Sequence, residues 1–272
     1  MAQRLIIEAG RTEGQYWRDL WRYRELFYFL AWRDFLIRYK QTFVGVFWAL
    51  IRPVLTMFIL TMVGKFGKLP TGGVPGALFF FCALLPWQFF STTLSESSIS
   101  FVYNANLVSK IYFPRLVVPA SSVIVSFVDF AISSVFLVLL MLYYRFPPPP
   151  AIVFLPFFVV LIFAASLGAG LWTSALTVKY RDFRFVVPFV VQFGLYASVI
   201  LQTGKIQNED YRLLYSLNPI VGIIDGFRWC ILGGENTIYL PGLVASIVGV
   251  VFLVVTGLWY FRKMERILAD II

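Results

Sequence analysis

The sequence predicts an all-α polytopic membrane protein with six transmembrane helices, an N-terminal amphipathic interface helix and an external re-entrant helical hairpin. Three observations predict it. Hydrophobic residues make up 60% of the 272 and charged residues only 14%, against roughly a quarter charged in soluble domains. The apolar residues gather in blocks of about twenty, the length that crosses about 30 Å of hydrocarbon. The blocks are separated by short segments rich in Gly, Pro and charge, which break helices and stay in water.

The first segment, residues 1–41, carries eight of the 23 Lys and Arg. It opens on charge with no apolar core behind it, so no cleavable signal peptide is expected. Tyr16, Leu20, Tyr23, Phe27 and Leu30 recur on one helix face, with Arg18, Arg22 and Glu25 away from it. This pattern predicts a helix lying in the membrane interface, the alternative being a helix packed on a protein partner. The six-span domain, 42–272, follows, with spans expected at about 43–64, 76–94, 116–144, 151–178, 185–203 and 240–261.

Gly67, Pro70, Gly72 and Gly73 mark the turn Lys65–Pro75 between spans one and two, and the polar run Ser95–Ser100 closes span two. Arg145 and Pro147–Pro150 end span three, because proline cannot continue a helix. The charged turn Lys179–Arg184 separates spans four and five. Within Gly204–Tyr239, Asn218-Pro219 makes a break, and the apolar Ile220–Leu232 is too short to cross. Such a piece predicts a re-entrant or interfacial hairpin, tolerated at depth only where protein or a cavity lines it.

Six spans put both termini on one side. That side would hold 16 Lys and Arg and the other six, with Arg52 inside span one. The asymmetry predicts cytoplasmic termini. The net charge of +9 is accounted for by membrane orientation and anionic lipid rather than nucleic acid.

Composition narrows the chemistry. There is no histidine, and the two cysteines lie in or near apolar segments, so neither a metal site nor a disulfide framework is expected. No G-x-x-x-x-G-K-[ST] phosphate loop and no G-x-S-x-G elbow occurs. The turn Lys65–Pro75 lacks a carboxylate, and a membrane glycosyltransferase would have only Glu209, Asp210, Asp225 and Glu235 outside. A secondary transporter would be expected to show internal repeats, and none is seen. A catalytic role is not expected.

Two ionisable residues are expected midway along spans, Arg52 in span one and Asp129 in span three. Such charges normally find partners or a pathway. Either the two pair, which is the expectation, or Arg52 faces a cavity and receives an anionic head group. Phe185, Phe189, Gln192, Phe193 and Tyr196 share one face of span five, and Tyr39, Phe43 and Phe47 repeat every four residues at the start of span one. Flat aromatic faces with neutral hydrogen-bonding groups suit sugar rings, so these residues are candidates for a glycan pathway, together with Arg52.

The stretch Asn104–Pro119, N-A-N-L-V-S-K-I-Y-F-P-R-L-V-V-P, is too polar for lipid and too apolar for a solvated linker. A short helix ended by Pro114 is expected, held where two spans meet water.

Arg33-Asp34, Arg38-Tyr39-Lys40-Gln41-Thr42, Gly45, Trp48 and Pro53, then Leu85-Pro86-Trp87-Gln88-Phe89-Phe90, Asn104–Arg115, Lys179-Tyr180-Arg181-Asp182 and Asn218-Pro219 together resemble one family in order. It is the permease subunit of type-2 ABC exporters for polysaccharides, the O-antigen, capsule and teichoic acid group. The resemblance runs from about Trp32 to the end of the chain. It implies a homodimer in the bacterial cytoplasmic (inner) membrane, served by two copies of a separate ATP-binding subunit that would bind the ATP and Mg, so that no cofactor belongs to this chain. A channel at the dimer interface would form from spans one and five, with the external hairpin closing its outer end. Asn104, Asn106, Lys110, Tyr112, Phe113 and Arg115, with Lys179, Arg181 and Asp182, would be the coupling surface for that subunit. Arg38 and Lys40 would receive the pyrophosphate of a lipid-linked glycan. Arg52 departs from the pattern, standing where a neutral polar residue is expected. An exporter of a drug or small lipid is the nearest alternative.

Overall fold

A computed structural model describes residues 13–40, 47–69, 71–111, 113–200, 202–234 and 238–271. Among them there are only helices, turns and loops, and six helices are long and apolar enough to cross a membrane. The protein is a multi-pass membrane protein.

The N-terminal segment forms two helices, α1 (Glu13–Arg22) and α2 (Arg24–Tyr39), divided at Tyr23. The face of Tyr16, Leu20, Tyr23, Phe27 and Leu30 does not point away from the protein. It packs on a cluster formed by Phe101, Val108, Phe113, Leu116 and Phe261 from four later segments. A second face is left exposed, with Trp17, Trp21, Tyr28 and Trp32. Tyr28 and Trp32 stack at 6.4 Å, Trp32 and Phe35 at 5.4 Å, and Phe35 meets Tyr39 at 4.8 Å. The periodicity therefore found an apolar face, but burial against the protein's own bundle took that face and left the aromatic one outside.

Span one is α3 (Phe47–Phe66). The beginning of the expected span, 43–46, lies outside the described residues. Span two, α4 (Gly76–Tyr103), runs on through Ser95–Ser100 instead of ending at 94. The hydroxyls of Ser95, Ser98 and Ser100 donate to the carbonyls of Ser91, Ser95 and Ser97 at 2.9, 2.7 and 2.7 Å. Bonding back to their own helix lets these serines stay helical and packed. The short α5 (Ala105–Lys110) follows; Ile111 is extended, so the helix stops before Pro114 is reached.

Spans three and four are α6 (Val117–Tyr143) and α7 (Leu155–Lys179), the latter led by a 3-10 turn from Pro150. Span five is α8 (Phe183–Leu195) continued by a π-helical turn, Tyr196–Ile200. The expected hairpin is α9 (Glu209–Ser216) and α10 (Pro219–Leu232), with α11 (Leu240–Ile271) as span six. Asn218 caps α10 by accepting from Ile220 N at 3.1 Å, and its amide donates to Ser198 Oγ at 2.9 Å. α10 is buried along nearly its whole length, against α4, α7 and α11.

α4 is the axle of the bundle, touching α3, α6, α7, α8 and α10. Around it α3 meets α6, α6 meets α7 and α7 meets α8. α7 and α11 meet backbone to backbone: a Cβ on Gly168 would lie 2.7 Å from the Leu253 carbonyl carbon. α8 lies against α4 at Gly194, where a Cβ would be 2.5 Å from the Trp87 ring. Alternation of the six spans gathers α2, α5, the 180–182 turn and the end of α11 at one end, and the 67–75 turn and the hairpin at the other.

Candidate functional site

A cavity of 540 Å³ lies between the end of α2 and the facing sides of α3, α4 and α6. Each wall comes from residues one turn apart. α3 supplies Arg52, Thr56 and Ile59; α4 supplies Gln88, Thr92 and Glu96; α6 supplies Ser126, Asp129 and Ser133. The i, i+4 spacing of helices is what aims such rows at one space.

The expected pair of Arg52 and Asp129 does not form. Asp129 instead accepts from Arg38 Nη1 at 2.5 Å and from the Tyr39 hydroxyl, and Arg38 Nη2 reaches Glu96 at 2.6 Å. The reason is positional: the last turn of α2 reaches both carboxylates, while Arg52 stands on the opposite wall. Two carboxylates thus hold the guanidinium of Arg38, a candidate receiver of a head group. Lys40, the C-cap of α2, is exposed. Among the described residues the Arg52 guanidinium has no carboxylate partner. Sequence reasoning missed Glu96; a lone carboxylate within a serine run beside apolar residues was the available signal.

The aromatic pathway candidates fall in two places. Phe185, Phe189, Phe193 and Tyr196 are exposed along one face of α8 and its π turn, joined by Gln192. The Phe189 and Phe193 rings meet at 4.4 Å, tilted by 44°. Phe47 is exposed at the start of α3, and Tyr39 lines the cavity. Phe43 lies outside the described residues. The structure does not bring Tyr39 and Phe47 together with α8 within one chain; α3 and α8 each pack on α4.

The coupling candidates separate into held and presented groups. Asn104 is buried, accepts from Arg33 Nη2 at 2.5 Å and donates to Ser100 O at 2.9 Å. Phe113 is buried as well. Arg115 is tied to α11: its backbone N–H donates to Glu265 Oε1 at 2.9 Å and Nη1 to Glu265 O at 3.3 Å. The Tyr16 hydroxyl donates to the same carboxylate at 3.4 Å. Burial, then the Glu265 charge, pushes the Tyr16 phenol well above its usual value, so it stays a donor. Asn106, Lys110, Ile111, Lys179, Arg181 and Asp182 are exposed. Tyr112 lies outside the described residues. The end of the bundle therefore presents a basic, partly apolar surface on an anchored base.

At the opposite end, Asp225 and Arg228 of α10 form a second charged cluster that sequence reasoning did not pair, although their i, i+3 spacing was visible. Arg228 is fully buried, lies 3.6 Å from Asp225, donates to Val199 O at 2.6 Å and sits 4.3 Å over the Phe79 ring. Asp225 accepts from the Thr203 N–H at 3.1 Å and from its hydroxyl. This cluster fastens the hairpin to the π turn of span five. Among the described residues no group of His, Cys, Asp and Glu could hold a metal ion.

A family model described as ABC-2 type transporter matches residues 25–232. The chain is similar to an O-antigen export system permease protein, RfbA, of Myxococcus xanthus, with 28% identity over 214 residues, 78% of this chain and 82% of that one. It is also similar to a protein of the same name from Klebsiella pneumoniae, with 25% identity over 248 residues, 88% and 92% of the two chains.

Proposed function

This chain belongs to the ABC-2 type transporter family, and from that premise we propose that it is the membrane-spanning subunit of an ATP-driven exporter of a lipid-linked polysaccharide. It is a transporter permease rather than an enzyme. Two copies would form the channel in the bacterial inner membrane, with cytoplasmic termini. Two copies of a separate ATP-binding subunit would dock on the α5 end.

The observation that carries this reading is the exposed aromatic and glutamine face of α8. A lipid-facing helix has no use for Gln192, and water alone has no use for Phe185, Phe189 and Phe193. A row of exposed rings beside a neutral hydrogen-bonding group suits a sugar chain. The exposed apolar residues of α3 and α8 support a dimer in which those helices face a second copy. The excess of Lys and Arg on the α5 end supports its being cytoplasmic. The names of the relatives support O-antigen as the glycan class.

Deleting the gene in its host and separating surface and intracellular glycans tests the reading. One surface glycan should disappear while its lipid-linked form accumulates inside, and tagged chain should bring a Walker-A-bearing partner from native membranes. Unchanged glycans, with altered resistance to a drug or altered surface lipid, would overturn it.

A further inference from the structure

We propose that the cavity between α3, α4 and α6 binds the singly charged phosphodiester headgroup of a membrane phospholipid, with Arg52 as its cation. The proposal stands on the cavity and does not need the export reading.

Arg52 is the first reason. A guanidinium within a span is retained where it meets an anion or water, and the carboxylates at this cavity are already engaged by Arg38. The walls are the second. Gln88 and Thr92 offer neutral polar groups, and the fully buried Ser126 Oγ has no hydrogen-bond partner. Leu55 and Ile59, one and two turns along α3 from Arg52, line the cavity and are exposed. A headgroup at Arg52 would leave its acyl chains lying along them.

Charge fixes the class. Glu96 and Asp129 are two carboxylates held by the single cation of Arg38, and Arg52 is the second cation at the cavity. A phosphodiester adds one negative charge beside a guanidinium that can form paired hydrogen bonds to it. A pyrophosphate adds at least two, against two nearby carboxylates, so the cavity favours phospholipid over a pyrophosphate-linked carrier.

Native mass spectrometry of the purified full-length protein tests this, with titration of short-chain phosphatidylglycerol, diacylglycerol, inorganic phosphate and a polyprenyl pyrophosphate. One phosphatidylglycerol per chain should bind saturably, diacylglycerol should not, and Arg52→Gln should weaken binding about tenfold or more. Arg52→Lys should retain most of the affinity, and Ser126→Ala should lose less than Arg52→Gln does. Arg52→Lys also keeps the test valid if Arg52→Gln does not fold, because loss of binding with the charge retained would count against a charge-based site. Equal binding by Arg52→Gln and wild type would overturn the proposal. So would inorganic phosphate competing as well as the lipid, or the pyrophosphate lipid binding more tightly. None of these readouts depends on an ATPase partner or on surface glycan, so a failed export reading would be seen separately.

Discussion

At the hairpin end, Arg228 and Asp225 lie 3.6 Å apart with side chains 0% and 5% exposed; at the α2 end, Arg38 holds Glu96 and Asp129 with side chains between 21% and 40% exposed. The residue types are alike, yet their surroundings separate their roles. The first cluster is closed: a backbone carbonyl, a threonine and a phenylalanine ring occupy the space around it. The second opens on a cavity whose other wall carries another arginine. A closed cluster can fasten two segments, whereas an open one can also answer to a ligand. The lesson is that a charge in a span is read by what surrounds it rather than by its presence.

Substitutions at each end can break or sharpen that contrast. The largest effect belongs to the closed cluster. Arg228→Met leaves Asp225 buried without its cation and should cost about 3–5 kcal/mol, seen as a large fall in the melting temperature of purified protein. Replacing both, Asp225→Leu with Arg228→Met, should recover a large part of that loss, because an apolar pair leaves no uncompensated charge. Failure to recover would mean that Thr203 and Val199, not the ion pair, set the cost.

Asp129→Asn comes next. It removes one of two carboxylates from a half-exposed Arg38 and should cost about 1 kcal/mol, between surface and buried pairs, by the same melting measurement. A loss equal to that of Arg228→Met would erase the distinction between closed and open clusters. Arg52→Gln should change stability by under about 0.5 kcal/mol in lipid-free detergent, since it breaks no ion pair. Smallest in stability is Lys110→Glu on exposed α5, again within about 0.5 kcal/mol. Its readout is partner recovery: co-purification of the ATP-binding subunit should fall several-fold while the melting temperature stays put.

The spans were legible because about twenty apolar residues have few alternatives to crossing a bilayer. Asn218-Pro219 likewise announced the hairpin, since Asn caps and Pro suits the first helical turn. What was not legible was choice among equals. Sequence showed three cations, Arg33, Arg38 and Arg52, that could serve a buried acceptor, and only the placement of α2 gives Arg33 to Asn104 and Arg38 to Asp129. The same limit explains Arg115 and Phe113, which looked like surface residues for a partner. Their segment is too short to show by periodicity which side is taken by α11. On α8 the aromatic face was legible, because polar Gln192 among phenylalanines marks a side without needing a fold.

Glu265 joins the backbone of Arg115 to the hydroxyl of Tyr16, and this has a consequence for biosynthesis. The ribosome delivers Tyr16 well before Glu265, so the floor beneath α5 cannot close until the sixth span has been made. A chain stalled or cleaved before α11 would carry every exposed residue of α5 and still lack the base that holds them in place. The α5 end is therefore settled only after its most distant contact has been made.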